Sequence, residues 1–343
     1  WEKNQMINAG IDLQMFDGYI GFSVDYYNTN TSNMLLYVPV PLLTGYSTSL
    51  QNLGKVNNRG WELALTSQHT FTNGFGYSFN ANYAKNTNEV KELGPGNAPI
   101  ISSGSVGHAY YITEVGKPIG NYYLLVQDGI FATEEDLKKY PHFDNTEVGD
   151  FRFVDVDGDG KLDLDKDRTI CGNYMPKFTY GFGGKLWYAG FDMDFNFQGV
   201  YGNKILNLNK RYLDNMEGNT NGTKIALDRW KSPENPGSGS VNKANRKQTG
   251  YNSRTSTWHL ESGSYLRLQN LSLGYTLPRA LTQKFKVEKM RVYVSGQNLF
   301  TITNYSGYNP EVNARPSKNL TPGEDYGTYP LARTYMFGLN LTL

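Results

Sequence analysis

Between residues 177 and 203, two runs of alternating apolar and polar residues flank a two-residue turn, Ala189-Gly190. Large apolar side chains take every second position on both sides of the turn: Phe178, Tyr180, Phe182, Leu186, Tyr188, Phe191, Met193, Phe195, Phe197 and Tyr201. Polar residues take the positions between them in the second run: Asp192, Asp194, Asn196 and Gln198. Because successive strand side chains point to opposite faces, this pattern predicts a tight β-hairpin with one apolar and one polar face.

The length of these runs favours a membrane-spanning hairpin. Each run has roughly 9–11 residues, which is what a tilted strand needs to cross a bilayer. Three aromatic residues, Trp187, Tyr188 and Phe191, cluster at the turn, where an interfacial girdle is expected. Soluble sandwiches also use such hairpins, so the interpretation requires that the pattern recur along the chain.

The alternation does recur before and after this hairpin. Further strands are predicted at residues 6–16, 19–28, 61–66, 75–83, 265–277, 290–294 and 334–343. Turn residues join the first two pairs, at Asp17-Gly18 and at Thr72-Asn73-Gly74. The apolar positions change phase near Gln269-Asn270, which predicts a β-bulge there. The sequence therefore predicts an all-β, antiparallel transmembrane barrel.

Short and long connections alternate between these strands. The long ones span residues 29–55, 86–175, 204–262 and 301–331, and we expect loop structure in them, including the stretch 35–43 with Pro39 and Pro41. Barrels have short periplasmic turns and longer extracellular loops, so the last strand is predicted to end in the periplasm. The count is nine strands, or eleven if residues 122–131 add a hairpin. An odd number predicts that earlier strands precede Trp1.

Composition agrees with a barrel and excludes other classes. Aromatic residues make up 14% of the 343 residues, and mean hydropathy is −0.55. No apolar run of about 18 residues exists, which excludes helical membrane spans. The net charge of +1 gives no reason to expect a nucleic-acid partner. Trp1 is not a natural first residue, so an N-terminal part is expected outside this chain.

An acidic segment beginning at Asp155 has the spacing of a calcium-binding loop. Asp155, Asp157 and Asp159 occupy positions 1, 3 and 5, and Gly160 supplies the turn at position 6. Lys161 offers its backbone carbonyl at position 7. Carboxylates on alternate residues can surround one small cation, whose charge offsets their mutual repulsion.

The end of this segment departs from the calcium-loop pattern. Asp163 stands at position 9, but Lys166 replaces the acid expected at position 12, so Asp165 or Asp167 has to close the site. A solvated acidic turn without metal is the alternative. We favour a structural Ca²⁺ site in an external loop, and not an EF-hand sensor, because the flanks do not predict two long helices.

No other segment predicts catalysis. His69, His108, His142 and His259 are scattered, and no nucleophile motif or phosphate-binding loop is present, so we do not expect an enzyme. The single cysteine, Cys171, is expected to be a packed thiol. The acidic patch Glu134-Glu135-Asp136 predicts the start of a short helix.

Several ordered blocks resemble the C-terminal barrel portion of SusC/RagA-type TonB-dependent outer-membrane transporters. They are WEKNQMINAGIDLQMFDGYIGFSVDYYNTNTSNMLL, LTGYSTSLQNLGKVNNRGWELAL, GKPIGNYYLLVQDGIF, the acidic loop with DRTICGNYMPKFTYGF, YLRLQNLSLGYTLP and VYVSGQNLFTITNYSGYNPEV. The chain departs from such barrels at Leu343, where an aromatic residue is common.

This resemblance implies a bacterial outer-membrane barrel of about 22 strands, whose plug and early strands lie outside this chain. It implies import of a large nutrient, an oligosaccharide or a peptide, beneath a SusD-like surface lipoprotein and with energy from a TonB complex. The alternative from pattern alone is a soluble, secreted β-protein that binds carbohydrate through the aromatic residues of its loops.

Overall fold

The computed structural model describes residues 1–39, 43, 45–46, 48–106, 108–247 and 250–342. Strands dominate it. They are, in chain order, β1 (Lys3–Met15), β2 (Ile20–Pro39), β3 (Thr48–Thr70), β4 (Gly76–Glu92), β5 (Ile100–Ser103), β6 (Tyr110–Thr113), β7 (Asn121–Leu125), β8 (Gln127–Ile130), β9 (Phe151–Phe153), β10 (Arg168–Ile170), β11 (Phe178–Tyr188), β12 (Phe191–Tyr201), β13 (Lys204–Asn207), β14 (Leu260–Ser262), β15 (Tyr265–Thr276), β16 (Lys289–Thr303), β17 (Glu324–Asp325) and β18 (Thr334–Thr342). Three short α-helices accompany them: α1 (Glu134–Lys139), α2 (Lys210–Leu213) and α3 (Arg279–Thr282).

The described residues place nine long strands in one antiparallel sheet of order β1-β2-β3-β4-β11-β12-β15-β16-β18. Each strand pairs with the next long strand along the chain, so the sheet is a simple meander. β1 and β18 are its edge strands and do not pair with each other. The sheet is therefore part of a barrel wall, as the alternation predicted.

The hairpin of β11 and β12 has the predicted register and turn. Phe178 pairs with Tyr201, and Tyr188 pairs with Phe191. Ala189 and Gly190 both have positive φ, 50° and 87°, which matches the tight turn that joins twisted antiparallel strands. A Cβ on Gly190 would lie 2.7 Å from the carbonyl oxygen of Thr276, so this position requires glycine.

The two faces of the sheet differ in polarity along whole rows of paired residues. One row of paired residues crosses eight strands with apolar side chains throughout: Leu13, Phe22, Leu65, Ala81, Phe182, Phe197, Leu268 and Phe300. The adjacent row crosses all nine strands with polar or glycine residues: Gln14, Gly21, Thr66, Asn80, Gly183, Asn196, Asn270, Gln297 and Thr334. The outer face is thus apolar and the inner face polar.

Aromatic rings mark both ends of the apolar band. At the turn end, Phe75 contacts Tyr188 and Phe191 contacts Tyr275, with ring centroids 6.5 and 4.5 Å apart. At the other end, Phe178 stacks on Tyr201 at 4.9 Å. The ten residue steps from Phe178 to Tyr188 cover about 33 Å of strand, or about 25 Å of height at the usual tilt. This height matches the hydrocarbon band of outer-membrane barrels.

The prediction of a loop over residues 29–55 is wrong for most of that segment. β2 continues to Pro39, and β3 begins at Thr48. In this extension one strand face is buried, with Val56 in a hydrophobic cluster with Val90 and Leu93, so the alternation of lipid-facing and polar residues ends although pairing continues. Asparagine amides replace it: the Asn57 side chain donates to the Asn28 and Asn30 carbonyl oxygens at 2.6 and 2.8 Å. Pro41 lies outside the described residues.

The long connections fold together at one end of the sheet, and we call their described residues 93–177, 202–264 and 304–333 the loop body. Residues 122–131 do not add a hairpin to the barrel sheet, so the eleven-strand alternative is wrong. β7 instead joins a small sheet of order β10-β7-β6-β5, and β8 pairs with β9. The larger hydrophobic cores also lie in this body; one of them contains Tyr111, Tyr122, Leu124, Leu206 and Leu208.

Several local predictions are confirmed. The bulge lies at Gln269, where the registers with both neighbouring strands shift. The acidic patch opens α1, and Thr133 and Asp136 form a capping box at its start. Leu343, predicted on the apolar face of the last strand, lies outside the described residues. Among the described residues, no helix is long and apolar enough to cross a membrane.

Candidate functional site

The inner face of the sheet carries polar and charged side chains. Asp192 and Arg291 form a two-pronged ion pair across β12 and β16, with N–O distances of 2.8 and 2.6 Å. Opposite charges paired in this way connect the strands and keep the inner face of the sheet hydrated. Such a surface suits passage or binding of a polar solute.

An arginine on this face connects the wall to the loop body. Arg267 on β15 donates to Thr301 at 2.9 Å, to Asn309 at 2.8 Å and to the Glu311 carboxylate. Its side chain is 3% exposed. Tyr265 donates to the same carboxylate at 2.5 Å. This network fixes residues 309–311 of the last long connection against the sheet.

A buried carboxylate ties distant loop segments together. Glu324 in β17 is fully buried and accepts hydrogen bonds from the Tyr111 hydroxyl at 3.0 Å and from the Ser105 backbone amide at 3.0 and 3.1 Å. A Cβ on Gly104 would overlap a Glu324 oxygen, so only glycine allows this approach. The loop body is therefore a folded unit with its own polar core.

The sequence analysis did not single out Arg267, Glu311 or Glu324. Arg267 is the only charged residue in the stretch YLRLQNLSLGY, and a charged residue needs a partner if it is buried. This requirement could have marked Arg267 as a residue that has a partner elsewhere in the chain. Its partner is more than forty residues away in sequence, so the sequence alone did not identify it.

The acidic loop brings together three of its predicted ligands. Carboxylate oxygens of Asp155, Asp157 and Asp159 lie within 4.8 Å of one another. Asp155 also accepts the backbone amides of Gly158 and Gly160 at 2.7 and 2.8 Å, which curls the loop around its first residue. Hard oxygen donors at this separation fit a calcium ion.

The remaining predicted ligands have other partners. The two Asp167 oxygens accept the backbone amides of Val156 and Asp163, at 2.8 and 2.6 Å, and Asp167 is buried. Asp163 accepts the backbone amides of Asp165 and Lys166, at 2.6 and 3.2 Å, and these two hydrogen bonds lower the pKa of its carboxyl. Neither residue belongs to the cluster of three. The Lys161 carbonyl, at position 7, stays a predicted further ligand.

A wide cleft lies beside this loop. Its volume is about 860 Å³, and it is lined by residues 137–144, residues 160–165 and Tyr251. The lining is mostly polar and includes Lys138, Tyr140 and His142. The acidic loop therefore forms one wall of a cleft in the loop body.

Comparison with known proteins decides the family. The family described as TonB dependent receptor-like, beta-barrel matches residues 1–299. The chain belongs to this family.

Two relatives show how this TonB-dependent receptor-like chain fits a longer protein. It is 34% identical to TonB-dependent receptor P3 of Formosa agariphila and 27% identical to TonB-dependent receptor SusC of Bacteroides thetaiotaomicron. Both alignments cover 99% of this chain but only 34% and 32% of the relatives. The chain thus spans about a third of the length of these proteins.

Solved structures agree with this placement. A structure of the RagAB peptide transporter matches with a TM-score of 0.78 and 26% identity, over 99% of this chain and 35% of that one. The RagAB peptide importer in its open-open state matches with the same TM-score and 25% identity, over 100% of this chain and 35% of that one. The resemblance seen in the sequence is confirmed.

Within this receptor-like barrel, the histidines form no catalytic arrangement among the described residues. His69 lies between the rings of Tyr19 and Phe71 at the turn end of the sheet. His259 is fully buried, and burial lowers its pKa to about 3, helped by nearby Lys210 and Arg211. Cys171 packs against a hydrophobic core, and burial raises its pKa to about 11. That thiol is protonated at neutral pH, as expected of a packed cysteine.

Proposed function

We propose that this chain forms the C-terminal wall and external loops of a transporter that imports a large nutrient, an oligosaccharide or a peptide, across the bacterial outer membrane. A TonB complex would supply the energy through parts of the protein outside this chain. The C-terminus would lie in the periplasm, because the short turns occupy the opposite end of the sheet from the loop body. The chain itself would carry no enzymatic activity.

The main evidence for this proposal is the row of polar and glycine residues that crosses all nine strands. A wall that is apolar outside and polar inside, with a band about 25 Å high, separates lipid from a hydrated lumen. Nine such strands are only part of a barrel, and family relatives are about three times longer. The arrangement supports a solute pathway shared with the remaining strands.

The loop body provides a surface on which a partner protein could dock. It is large, internally bonded and located at one end of the wall, where a SusD-like lipoprotein would cover it. The relatives provide the analogy: one is named SusC, and the matching structures are of RagAB, described as a peptide importer.

The soluble alternative lacks support. The family match covers residues 1–299, and the outer face of the wall exposes many large apolar side chains, among them Ile11, Leu273, Val294, Phe300 and Phe337. A soluble protein rarely exposes so much contiguous apolar surface.

Deletion of the full-length gene tests transport. We expect cells without it to lose growth on one class of large nutrient while growth on the monomers continues, because monomers pass smaller pores. A protonophore should stop uptake of that nutrient by intact wild-type cells without preventing surface binding. Unimpaired growth of the deletion strain on both oligosaccharide and peptide mixtures would contradict the proposal.

We also propose that the acidic loop binds one structural Ca²⁺ through Asp155, Asp157, Asp159 and the Lys161 carbonyl. Asp163 and Asp167 would support the loop through backbone hydrogen bonds. The three carboxylates repel one another without a cation, so the ion would stiffen this wall of the cleft. The expected Kd is about 10⁻⁴ to 10⁻³ M, in the range of extracellular sites.

Limited proteolysis tests the calcium proposal. In the purified full-length protein, chelation should speed cleavage within residues 155–167, and added Ca²⁺ should reverse the effect. Asp157→Asn should make the loop sensitive in either condition, whereas Asp144→Asn, on the opposite side of the cleft, should behave as wild type. Identical cleavage with and without chelator would refute the proposal.

A further inference from the structure

A notch lies between β4 and β11 at the loop end of the sheet. The last pair of residues that joins these two strands there is Thr179 with Ala84. β4 continues along β3 beyond this pair, but β11 begins there, so the two strands part. The notch is lined mainly by residues 85–88 of β4 and residues 175–178, and its volume is about 620 Å³. This size lies within the range of small-ligand sites.

Lys85 lies on the lipid-facing side of the sheet at this notch. It follows Ala81 by four residues and Tyr83 by two, and the pairing continues without a bulge, so all three share one face. Its partner on β3 is Trp61, which is 50% exposed, and the Tyr83 ring contacts that of Phe178 at 5.3 Å. These rings end the apolar band. Two residues of strand cover about 7 Å, so Lys85 lies at the depth of lipid headgroups.

A second lysine lines the notch from the other strand. Lys177 immediately precedes β11, and its backbone amide donates to the Tyr201 carbonyl at 2.8 Å. A Cβ on Gly202 would lie 2.6 Å from the Lys177 Cγ, so glycine leaves room for the lysine stem. Lys85 and Lys177 are both exposed. Two exposed lysines therefore line one opening.

The positive charge of the notch is not balanced by the protein. Within the described part of the chain, neither lysine forms an ion pair. None of the described residues that line the notch is acidic. Further along the same outer face, Glu89 pairs with both Lys91 and Arg59, at 2.7 and 4.0 Å, so cations are in excess there too. An anion at the same depth would stabilise this surface.

We propose that the β4–β11 notch binds a phosphate group on the sugar headgroup of an outer-leaflet glycolipid, with Lys85 and Lys177 as its cationic contacts. The acyl chains of that lipid lie on the apolar band, which begins at Tyr83 and Phe178 beside the notch. β4 and β11 lie inside the sheet, so strands added at its edges, β1 and β18, leave the notch open to lipid. The inference goes beyond transport and rests on the proposed membrane location.

Native mass spectrometry of the detergent-purified full-length protein tests the notch with defined probes. The probes are diphosphorylated lipid A, the same lipid after enzymatic removal of its phosphates, and inorganic phosphate alone. We expect the phosphorylated lipid to bind about tenfold or more tightly than the dephosphorylated lipid. Inorganic phosphate at the same concentration should not displace it, because free phosphate lacks the chains that pack on the apolar band.

Variants then assign the binding to these residues. Replacing both lysines, Lys85→Gln with Lys177→Gln, should weaken binding of the phosphorylated lipid by about 10- to 100-fold and leave binding of the dephosphorylated lipid unchanged. Lys185→Gln is the matched control, because Lys185 lies on the inner face of β11, opposite Asp194 in the strand register. That variant should bind both lipids as wild type does.

Three results would overturn the notch: no preference for the phosphorylated lipid, displacement of that lipid by inorganic phosphate, or unchanged binding by the double variant. These results are separable from transport. Energy-dependent uptake by a protein without lipid preference would defeat the notch and leave the transport proposal standing. Selective lipid binding by a protein whose deletion leaves growth unimpaired would do the reverse.

Discussion

Replacing Arg267 with alanine is expected to destabilise the protein by about 3 kcal/mol. The substitution leaves Glu311 and Asn309 without the buried guanidinium that now pairs with them. A partly buried charge without its partner costs more than the net value of the pair, and the 35% exposure of Glu311 limits the cost to the lower end of the usual range. Chemical denaturation of the full-length protein in lipid or detergent measures the change.

A second measurement distinguishes the loss of the Arg267 network from a general loss of stability. Protease cleavage in residues 304–333 should rise before the sheet unfolds, because Arg267 connects that segment to the wall. Arg279→Ala is the matched control: its ion pair with Glu288 is exposed on both sides, so we expect a change below about 0.5 kcal/mol. Equal stability of both variants would show that the Arg267 network contributes nothing to the fold.

Replacing Phe197 with arginine should cost about 2–4 kcal/mol of folding free energy in a bilayer. Phe197 lies near mid-height of the apolar band and contacts the rings of Phe182, Phe195 and Phe300 at 4.8, 6.2 and 6.2 Å. The guanidinium would have to enter hydrocarbon or bend towards the interface. Urea unfolding from lipid vesicles measures the loss.

Asn196 gives a control at the same depth. It precedes Phe197 on β12 and belongs to the polar row, so Asn196→Arg places the same charge in the hydrated lumen. We expect that variant to lose less than about 1 kcal/mol. If the two substitutions cost the same, the assignment of outer and inner faces would be wrong.

The sequence predicted the wall well because lipid and water act on alternate residues of every spanning strand. Phe178 and Tyr201, the first and the last residue of their hairpin, pair as the pattern indicated. The bulge at Gln269 was visible for the same reason: an extra residue reverses which face each later side chain takes. These features follow from period-two alternation alone.

The remaining features depend on contacts that alternation does not report. β2 and β3 continue beyond the apolar band through hydrogen bonds between polar side chains such as Asn57 and Asn28, and Asn57 is buried there. The spacing of the acidic segment predicted that Asp155, Asp157 and Asp159 come together, but the backbone partners of Asp167 depend on loop geometry. Arg254 lies beside His108, 146 residues away in sequence, and no local motif relates the two.

Glu324 has a consequence for the order of folding. Its bonds to Ser105 join residues 219 positions apart, in the first and the last segment of the loop body. Closing so long a loop is entropically costly until the intervening strands have already been aligned. The surface segments should therefore acquire their final packing late and together, after the wall has assembled. Local opening of one segment should then loosen the others, so hydrogen exchange in residues 100–113 and 305–325 is expected to proceed as one cooperative unit.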